Sequence, residues 1–558
     1  MRKKIFIGLI SFIILIVGLC TVYYFMVKAT PPVSQEDLPA ITVTKSGENS
    51  FVGSDGSWLK KNDQQVWELY VHGGPLERGV AFGELCIPLQ KEKEEAFIAE
   101  IKNKVPSDSY LNFLKYLIGW FNRDLDQYVP EEYLKEIYAS SRYMPDEYDY
   151  IAPKYQRALS YHAAHDIGHA LQNMNLVGCT SFAVRGDKSE NSKLLLGRNF
   201  DFYFGEDFAQ DRMVAFYNPD QGYKFMSITW ACFSGVVSGM NEKGLSITLN
   251  SDKSAIPSKG TTPVSLMARQ MLQYASNIEE AYQIAKSYDT FVAESFLIGS
   301  KEDGRAALIE KTPEKTALYQ EEDMDLVVTN HYQSDELKND ELNQEYLSEG
   351  VSDYRYERVQ ELLDSLSPMN VEKTAYLLRD KKGLGGKDIG LANEKAINQL
   401  LAHHSVIFSP EELKVWVSAP PYQLGKYLAY DLNEIFNEED GGHVTFSYID
   451  SLNLDKDPFY FTEEYKKFRD FVDIKAEIQK TLARGDGDAI SEQEQQKFIA
   501  SNPNGYLTYY YLGDYNKSLE LWSKAKKYYN IALQLEIARK SERDDILDGL
   551  KECEEHLN

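Results

Sequence analysis

Gly178-Cys179-Thr180-Ser181-Phe182-Ala183-Val184 marks the point where the texture of the chain changes. Ahead of it the pattern is mostly helical: residues 91–104 mix charges with Ala96, Phe97, Ile98 and Ile101, and residues 155–174 form a second amphipathic stretch. Behind it come short alternating runs rich in β-branched and aromatic residues: residues 193–202 (KLLLGRNFDF), 212–218 (RMVAFYN), 224–233 (KFMSITWACF) and 244–250 (GLSITLN). Asn218-Pro219 and residues 241–244 supply turns between them. Helical spacing returns over residues 263–288, through Leu266, Met267, Met271, Leu272, Ala281 and Ile284. Four more strand-like runs follow, at residues 295–300, 305–312, 316–321 and 326–332. Strand block, helix block and strand block predict an α+β domain with largely antiparallel sheets.

The flanks divide the remaining chain. Arg2, Lys3 and Lys4 precede an uncharged apolar run over residues 5–26, long enough to cross a bilayer. The basic end predicts a cytoplasmic tip and an exported body, with residues 1–27 as an uncleaved signal-anchor in a cell envelope. A cleaved signal peptide is the rival, but no clear A-x-A site follows; a lipoprotein at Cys20 is weaker, because Leu19 sits where a small residue is wanted. Residues 28–49, with Pro31, Pro32 and Pro39, read as a linker, 50–178 as a mainly helical pro-segment, 179–455 as the catalytic domain and 456–558 as a helical tail. In the tail, Tyr509, Leu512, Gly513, Ala525, Tyr529 and Ala532 fall at the spacing of one tetratricopeptide repeat, although the expected proline near Ile537 is absent and Tyr515 sits one place early. One repeat cannot bury its own face, so it docks on the body or on a protein partner.

The 558 residues carry a net charge of −26, which disfavours a general nucleic-acid binder, and 43% hydrophobic residues, which excludes a wholly disordered chain. Five scattered cysteines form neither a CxxC pair nor a disulfide framework. Four places could carry chemistry. His165 and His169 share a helix face at a zinc-like spacing, but Asp166 stands where zincins have Glu, and no third ligand is evident; satisfied histidines on a packed helix are the simpler reading. Asp486-Gly487-Asp488 hints at calcium, but Ser491 occupies the position that needs glycine. Arg484-Gly485-Asp486 is a tripeptide common by chance. Cys179 could be an ordinary buried small residue. It follows a glycine at the texture change, however, and Arg198, Asp201, Asn250, Asn330 and Arg355 lie at ends of predicted strands or at a helix start, where they can converge on a thiol.

In that order, Cys179, GRNFD (197–201), TLN (248–250), VTNHY (328–332) and DYRYER (353–358) resemble the Ntn-hydrolase group of acyl-coenzyme A:6-aminopenicillanic acid acyltransferase-like proteins (peptidase C45 type) and choloylglycine hydrolases. Residues 404–408 with Pro420-Pro421 resemble its closing segment, and residues 74–83 (GPLERGVAFG) resemble the glycine motif of the acyltransferase branch's pro-region. The long segment before Cys179 favours that branch. The resemblance spans about residues 69–436 and says nothing about the anchor or the tail. It implies a four-layer αββα sandwich and self-cleavage of Gly178-Cys179 into halves that stay associated. It further implies a terminal thiol that opens a small linear amide through a thioester, by hydrolysis or acyl transfer, without a cofactor. In it, Arg198 would stabilise the thiolate, Asp201 would hold the new α-amine, Asn250 would bind the oxyanion, Asn330 would position the amide or complete that hole, and Arg355 would order the site. Two rival readings are a zinc-dependent hydrolase on His165 and His169, and a non-catalytic envelope protein acting through its tail.

Overall fold

The computed structural model describes all residues except 1, 106, 165, 168–177, 203, 232, 256, 321–324, 438–446, 485–489 and 558. Helix α1 (Arg2–Val27) opens the chain. Its stretch Ile5–Val27 has a mean hydropathy of 2.9 and none of it is buried, which is the length and composition of a membrane anchor or of a signal sequence.

The next segment departs from expectation. Residues 28–49 were expected as a linker and the chain from residue 50 as mainly helical, yet strands β1 (Val43–Gly47), β2 (Ser50–Gly53), β3 (Trp58–Lys61) and β4 (Trp67–Gly73) lie here. The reason is burial: Trp58, Leu59, Trp67, Leu69, Tyr70 and Val71 are all inside, and aromatic and β-branched side chains suit a pleated, half-covered surface. Helices begin only afterwards, with α2 (Pro75–Leu85), α3 (Ile87–Lys104), α4 (Asp108–Phe121), α5 (Leu125–Tyr128), α6 (Glu131–Ser141) and α7 (Lys154–His162). The glycines of the 74–83 motif have a packing cause. A Cβ on Gly79 would lie 2.4 Å from the Glu136 carbonyl oxygen, and one on Gly83 would lie 2.8 Å from that of Ser140, so both glycines let α2 seat directly on α6.

The strand runs read from the sequence fall on β5 (Thr180–Gly186), β6 (Ser192–Phe200), β7 (Met213–Pro219), β8 (Phe225–Thr229), β10 (Leu245–Asp252), β11 (Ala293–Ser300), β12 (Arg305–Lys311), β13 (Thr316–Tyr319) and β14 (Asp325–Val328), while β9 (Ser238–Asn241) is a short strand that the sequence reading did not contain. β15 (His404–Ser409), β16 (Lys414–Ser418) and β17 (Tyr427–Asp431) complete the set among the described residues. Two sheets result, in the orders β1-β2-β3-β4-β7-β8-β9-β10-β11-β12-β13 and β14-β5-β6-β15-β16-β17. Pairing is antiparallel except where β4 runs parallel to β7, from Trp67 beside Met213 to Gly73 beside Pro219. One apolar core joins the inner faces, with Leu196, Val406 and Val415 from the smaller sheet meeting Val214, Met226 and Leu297 from the larger. Helices Val264–Tyr274 and Ile278–Ser287, with α2 and α6, share a core with the larger sheet. Helices Ser352–Leu366 and Val371–Leu378 do so with the smaller. The α+β class therefore holds.

The tail comprises helices Glu463–Arg484, Glu492–Ser501, Tyr506–Ser518, Trp522–Ala532 and Lys540–Leu557. Its apolar face, including Tyr509, Leu512 and Tyr529, shares a core with Leu391, Leu400, Tyr422 and Leu424 of the body. Asn502 accepts from the Leu391 amide at 3.0 Å and donates back to its carbonyl at 2.9 Å, and Arg539 pairs with Glu394 at 2.8 Å. Of the two docking options, this face takes the body.

A buried ion cluster ties the chain upstream of Cys179 to the chain downstream. Arg269 donates to both carboxylate oxygens of Glu136, at 2.6 and 2.7 Å, and Arg78 donates to Glu136 at 3.0 Å. Burial alone would raise the Glu136 carboxyl, but the two guanidiniums outweigh it and hold it at about 2. Glu136→Gln leaves two buried cations short of a partner. It is expected to cost about 3–5 kcal/mol in urea denaturation; a loss below about 1 kcal/mol would show that the cluster does not join the two segments.

Candidate active site

Strand ends bring the site together. Cys179 immediately precedes β5, Arg198 lies on β6 opposite Ser181, and Asp201 follows β6 directly. Asn330 follows β14, the neighbour of β5 on its other side, while Arg355 lies in the first turn of helix Ser352–Leu366. Asn250 reaches in from β10 of the other sheet. All six side chains are buried.

Cys179 is held at each of its groups. Its backbone N–H donates to Asn330 Oδ1 at 3.1 Å, and its carbonyl accepts from Arg355 Nη1 at 2.6 Å. Its Sγ accepts from Arg198 Nη2 at 3.6 Å. Arg355 also donates to Thr180 Oγ1 at 2.9 Å and to Asn330 Oδ1 at 2.8 Å, so one guanidinium spans three residues of the site. Arg198 is fixed in turn by the carbonyls of Val237 and Leu249 and by Ser238. Burial pushes the Cys179 thiol up to about 11, with Arg198 opposing and the acids Asp201 and Glu294 reinforcing the rise. In the continuous chain Cys179 is therefore a neutral thiol.

Asp201 is the telling residue. Both of its carboxylate oxygens are buried, and no donor among the described residues reaches either one. Its own backbone carbonyl accepts from the Gly178 N–H at 2.9 Å, which places it beside the Gly178-Cys179 bond. Burial raises its carboxyl from 3.8 to about 8 against the pull of Arg355 and Arg198. The sign follows: the folded chain favours the protonated acid, so this stabilising contribution is full below about pH 4 and is lost as pH rises through 8. In an uncleavable Cys179→Ala chain, Asp201→Asn should therefore gain stability relative to Asp201 between pH 5 and pH 9, by about 2–5 kcal/mol in denaturant titrations. A difference that does not vary with pH would contradict it.

Asn250 does not take the place expected of it. Its Oδ1 accepts from Ser181 Oγ at 2.8 Å, and its Nδ2 donates to the carbonyls of Val328 at 3.2 Å and Thr329 at 2.8 Å. Both amide hydrogens are spent on tying β10 to the strand before Asn330, so the side chain offers no oxyanion donor. Asn330 Nδ2 donates one hydrogen, to Ser251 O at 2.8 Å, and its second meets no acceptor among the described residues.

Two contributors escaped the sequence. Gln399, on the irregular segment before β15, points Nε2 at the Gly178 carbonyl oxygen from 3.4 Å. No spacing signals it, because it reaches the site through a loop. Ser352 accepts from the Asn330 amide at 2.8 Å and orients that turn. The zinc reading rested on His165 and His169, which lie outside the described residues, as does the 486–488 acidic turn. Its described neighbours have other work. His162 donates Nδ1–H to the Ala158 carbonyl at 2.8 Å and accepts the Ser234 amide at Nε2 at 2.9 Å, and burial lowers it to about 4. Asp166 accepts from the Val264 amide at 2.9 Å.

Residues 188–420 match the family model of acyl-coenzyme A:6-aminopenicillanic acid acyl-transferase. The resemblance read from the sequence is thereby shown. The acyl-transferase match contains Arg198, Asp201, Asn250, Asn330 and Arg355, and Cys179 lies just ahead of it. An uncharacterized protein of Archaeoglobus fulgidus is 26% identical over 352 residues, covering 56% of this chain; the chain spans 57% of that relative. Among solved structures, a Caenorhabditis elegans N-acylethanolamine-hydrolyzing acid amidase ortholog aligns with 42% of this chain and 93% of its own, at 16% identity and a TM-score of 0.30. A mutant of the conjugated bile acid hydrolase from Clostridium perfringens aligns with 49% and 97%, at 15% identity and a TM-score of 0.34.

Proposed function

We propose that the chain is an Ntn-type cysteine amidohydrolase or acyltransferase, matured by cutting its own Gly178-Cys179 bond and acting on small linear amides other than peptides. On this reading the two sheets and their covering helices form the four-layer αββα sandwich of that group, and the tail carries one tetratricopeptide-like repeat. The observation that carries the reading is the Asp201 carboxyl group, buried with no donor among the described residues, on a residue whose backbone carbonyl holds the Gly178 N–H one residue before the nitrogen that cleavage would free.

In the cut, Cys179 Sγ adds to the Gly178 carbonyl carbon, with Gln399 Nε2 available to the developing oxyanion. The carbon–nitrogen bond breaks, the thiol proton ends on the Cys179 nitrogen, and water opens the resulting thioester. The products are a Gly178 carboxylate and a Cys179 with a free amine and a free thiol. That amine is the local base the uncut chain lacks. Asn330 Oδ1 already accepts from this nitrogen, and Asp201 supplies the opposing charge when the amine takes a proton. A cation beside the sulfur also lowers the thiol from its high resting value.

In turnover, the thiolate attacks the substrate carbonyl, the free hydrogen of Asn330 Nδ2 meets the oxyanion, and the amine hands its proton to the leaving nitrogen. Water or an acceptor amine then releases the acyl group from sulfur. Arg355, through the Cys179 carbonyl, keeps the terminal residue from swinging away. The body is held outside the cytoplasm by residues 5–27.

Iodoacetamide is expected to label Cys179 of the cleaved form and abolish amide turnover, while chelators leave it intact. Full turnover after alkylation, or its loss on chelation, would overturn the assignment.

A further inference from the structure

Helix α4 presents an apolar face that the described residues leave largely exposed. Tyr110, Phe113, Tyr116, Leu117 and Trp120 are each 42–54% exposed, and they recur at intervals of three and four residues along one stripe. The helix is anchored to the body beside and behind this stripe: Phe121, at its C-terminal end, meets Phe291 edge-on at 5.5 Å, and Lys115 donates to the Tyr150 carbonyl at 3.1 Å. An apolar, aromatic stripe of this extent on a soluble surface marks a contact site.

Its neighbour says what the contact is. The last turns of α1 cross α4 at Gly119, where a Cβ would lie 3.1 Å from the Tyr23 hydroxyl and 3.8 Å from Val27. Tyr23 donates to the Tyr116 carbonyl at 2.7 Å and stacks on Trp120 with ring centroids 6.3 Å apart. Gln156 of α7 donates to the Val27 carbonyl at 2.9 Å, so the body grips the end of the apolar helix. Tyr23 stands four residues from that end, ~6 Å at 1.5 Å per residue. A bilayer crossed by residues 5–27 therefore has its outer boundary at the level of α4. Trp and Tyr favour that layer, and Arg123 sits 4.5 Å over the Trp120 ring, aromatic body and basic head side by side.

We propose that α4 is a second membrane contact, with its aromatic stripe seated in the outer lipid layer beside the anchor. The proposal rests on the reading of α1 as an uncleaved anchor. The occupant is the bilayer that α1 crosses, because the stripe continues directly from the apolar helix. An interfacial helix of this kind adds apolar burial to the anchor and fixes the body's orientation over the membrane.

The test uses the full chain in phosphatidylcholine vesicles, with and without dibrominated acyl chains. Trp58, Trp67, Trp230 and Trp416 are buried, and Trp522 stacks on His556 in the tail, so Trp120 is the tryptophan placed to meet lipid. Brominated lipid should quench the wild-type emission, Trp120→Phe should lose at least half of that quenching, and adding Leu117→Trp to Trp120→Phe should restore it. Protein that floats with the vesicles but is quenched equally in wild type and Trp120→Phe overturns the proposal. So does a stripe shielded from lipid by a second copy in a dimer. Protein that fails to float overturns the anchor reading, and this proposal with it.

Discussion

Cys179→Ala is expected to remain one chain of 63.8 kDa with no amide turnover, where the wild type separates under denaturation into fragments of about 20 and about 43 kDa. The effect is total because, in the proposed mechanism, one sulfur serves both reactions. It is the attacking atom in the cut and, once its residue is terminal, in turnover. Alanine leaves Arg198 facing an apolar methyl, but the backbone contacts to Asn330 and Arg355 persist, so the variant should fold. Cys179→Ser separates the two steps. A hydroxyl ionises far less readily than a thiol, so processing should slow and turnover should fall steeply. A Cys179→Ala chain that is still cut at this bond would place the nucleophile elsewhere.

Asn330→Asp should lower kcat by about 10²–10³ with little change in KM. The aspartate keeps an oxygen for the Cys179 nitrogen and for Arg355, but both amide hydrogens disappear: the one that Ser251 O accepts and the one proposed for the oxyanion. Asn250→Ala should behave differently. It breaks three hydrogen bonds that join the sheets, leaves the carbonyls of Val328 and Thr329 without this donor, and should lower the melting temperature more than it lowers kcat. If Asn250→Ala loses kcat as steeply as Asn330→Asp while its stability is unchanged, the donor assignment is reversed.

The distinction between the two asparagines shows where sequence reasoning stops. Residues 244–250 and 326–332 were legible as strands because their apolar residues alternate and bulky β-branched side chains dominate. Both asparagines stood visibly at strand ends. Which amide keeps a free hydrogen depends on which carbonyls the second sheet brings near, and no spacing along one strand carries that information. The same limit hid β1 to β4. β4 is placed by pairing with β7, more than a hundred residues downstream, and β3, β2 and β1 follow on it in turn, while locally the polar residues around Asn49 and Asn62 outweigh Trp58 and Trp67. Gln399 was invisible for a third reason, since it reaches Gly178 from an irregular segment held in place by the tail. By contrast, Gly79 and Gly83 were visible in sequence through the motif that residues 74–83 share with the family they resemble, and the structure supplies the reason, close contact of α2 with α6.

The central claim is that the working enzyme begins its larger fragment at Cys179. Intact mass and terminal sequencing of the purified, active protein test it directly. The account predicts two fragments, of 178 and 380 residues before any loss at the outer ends, the larger reading Cys-Thr-Ser-Phe-Ala from a free amine. An active protein in which the Cys179 nitrogen is still joined to Gly178 would contradict it.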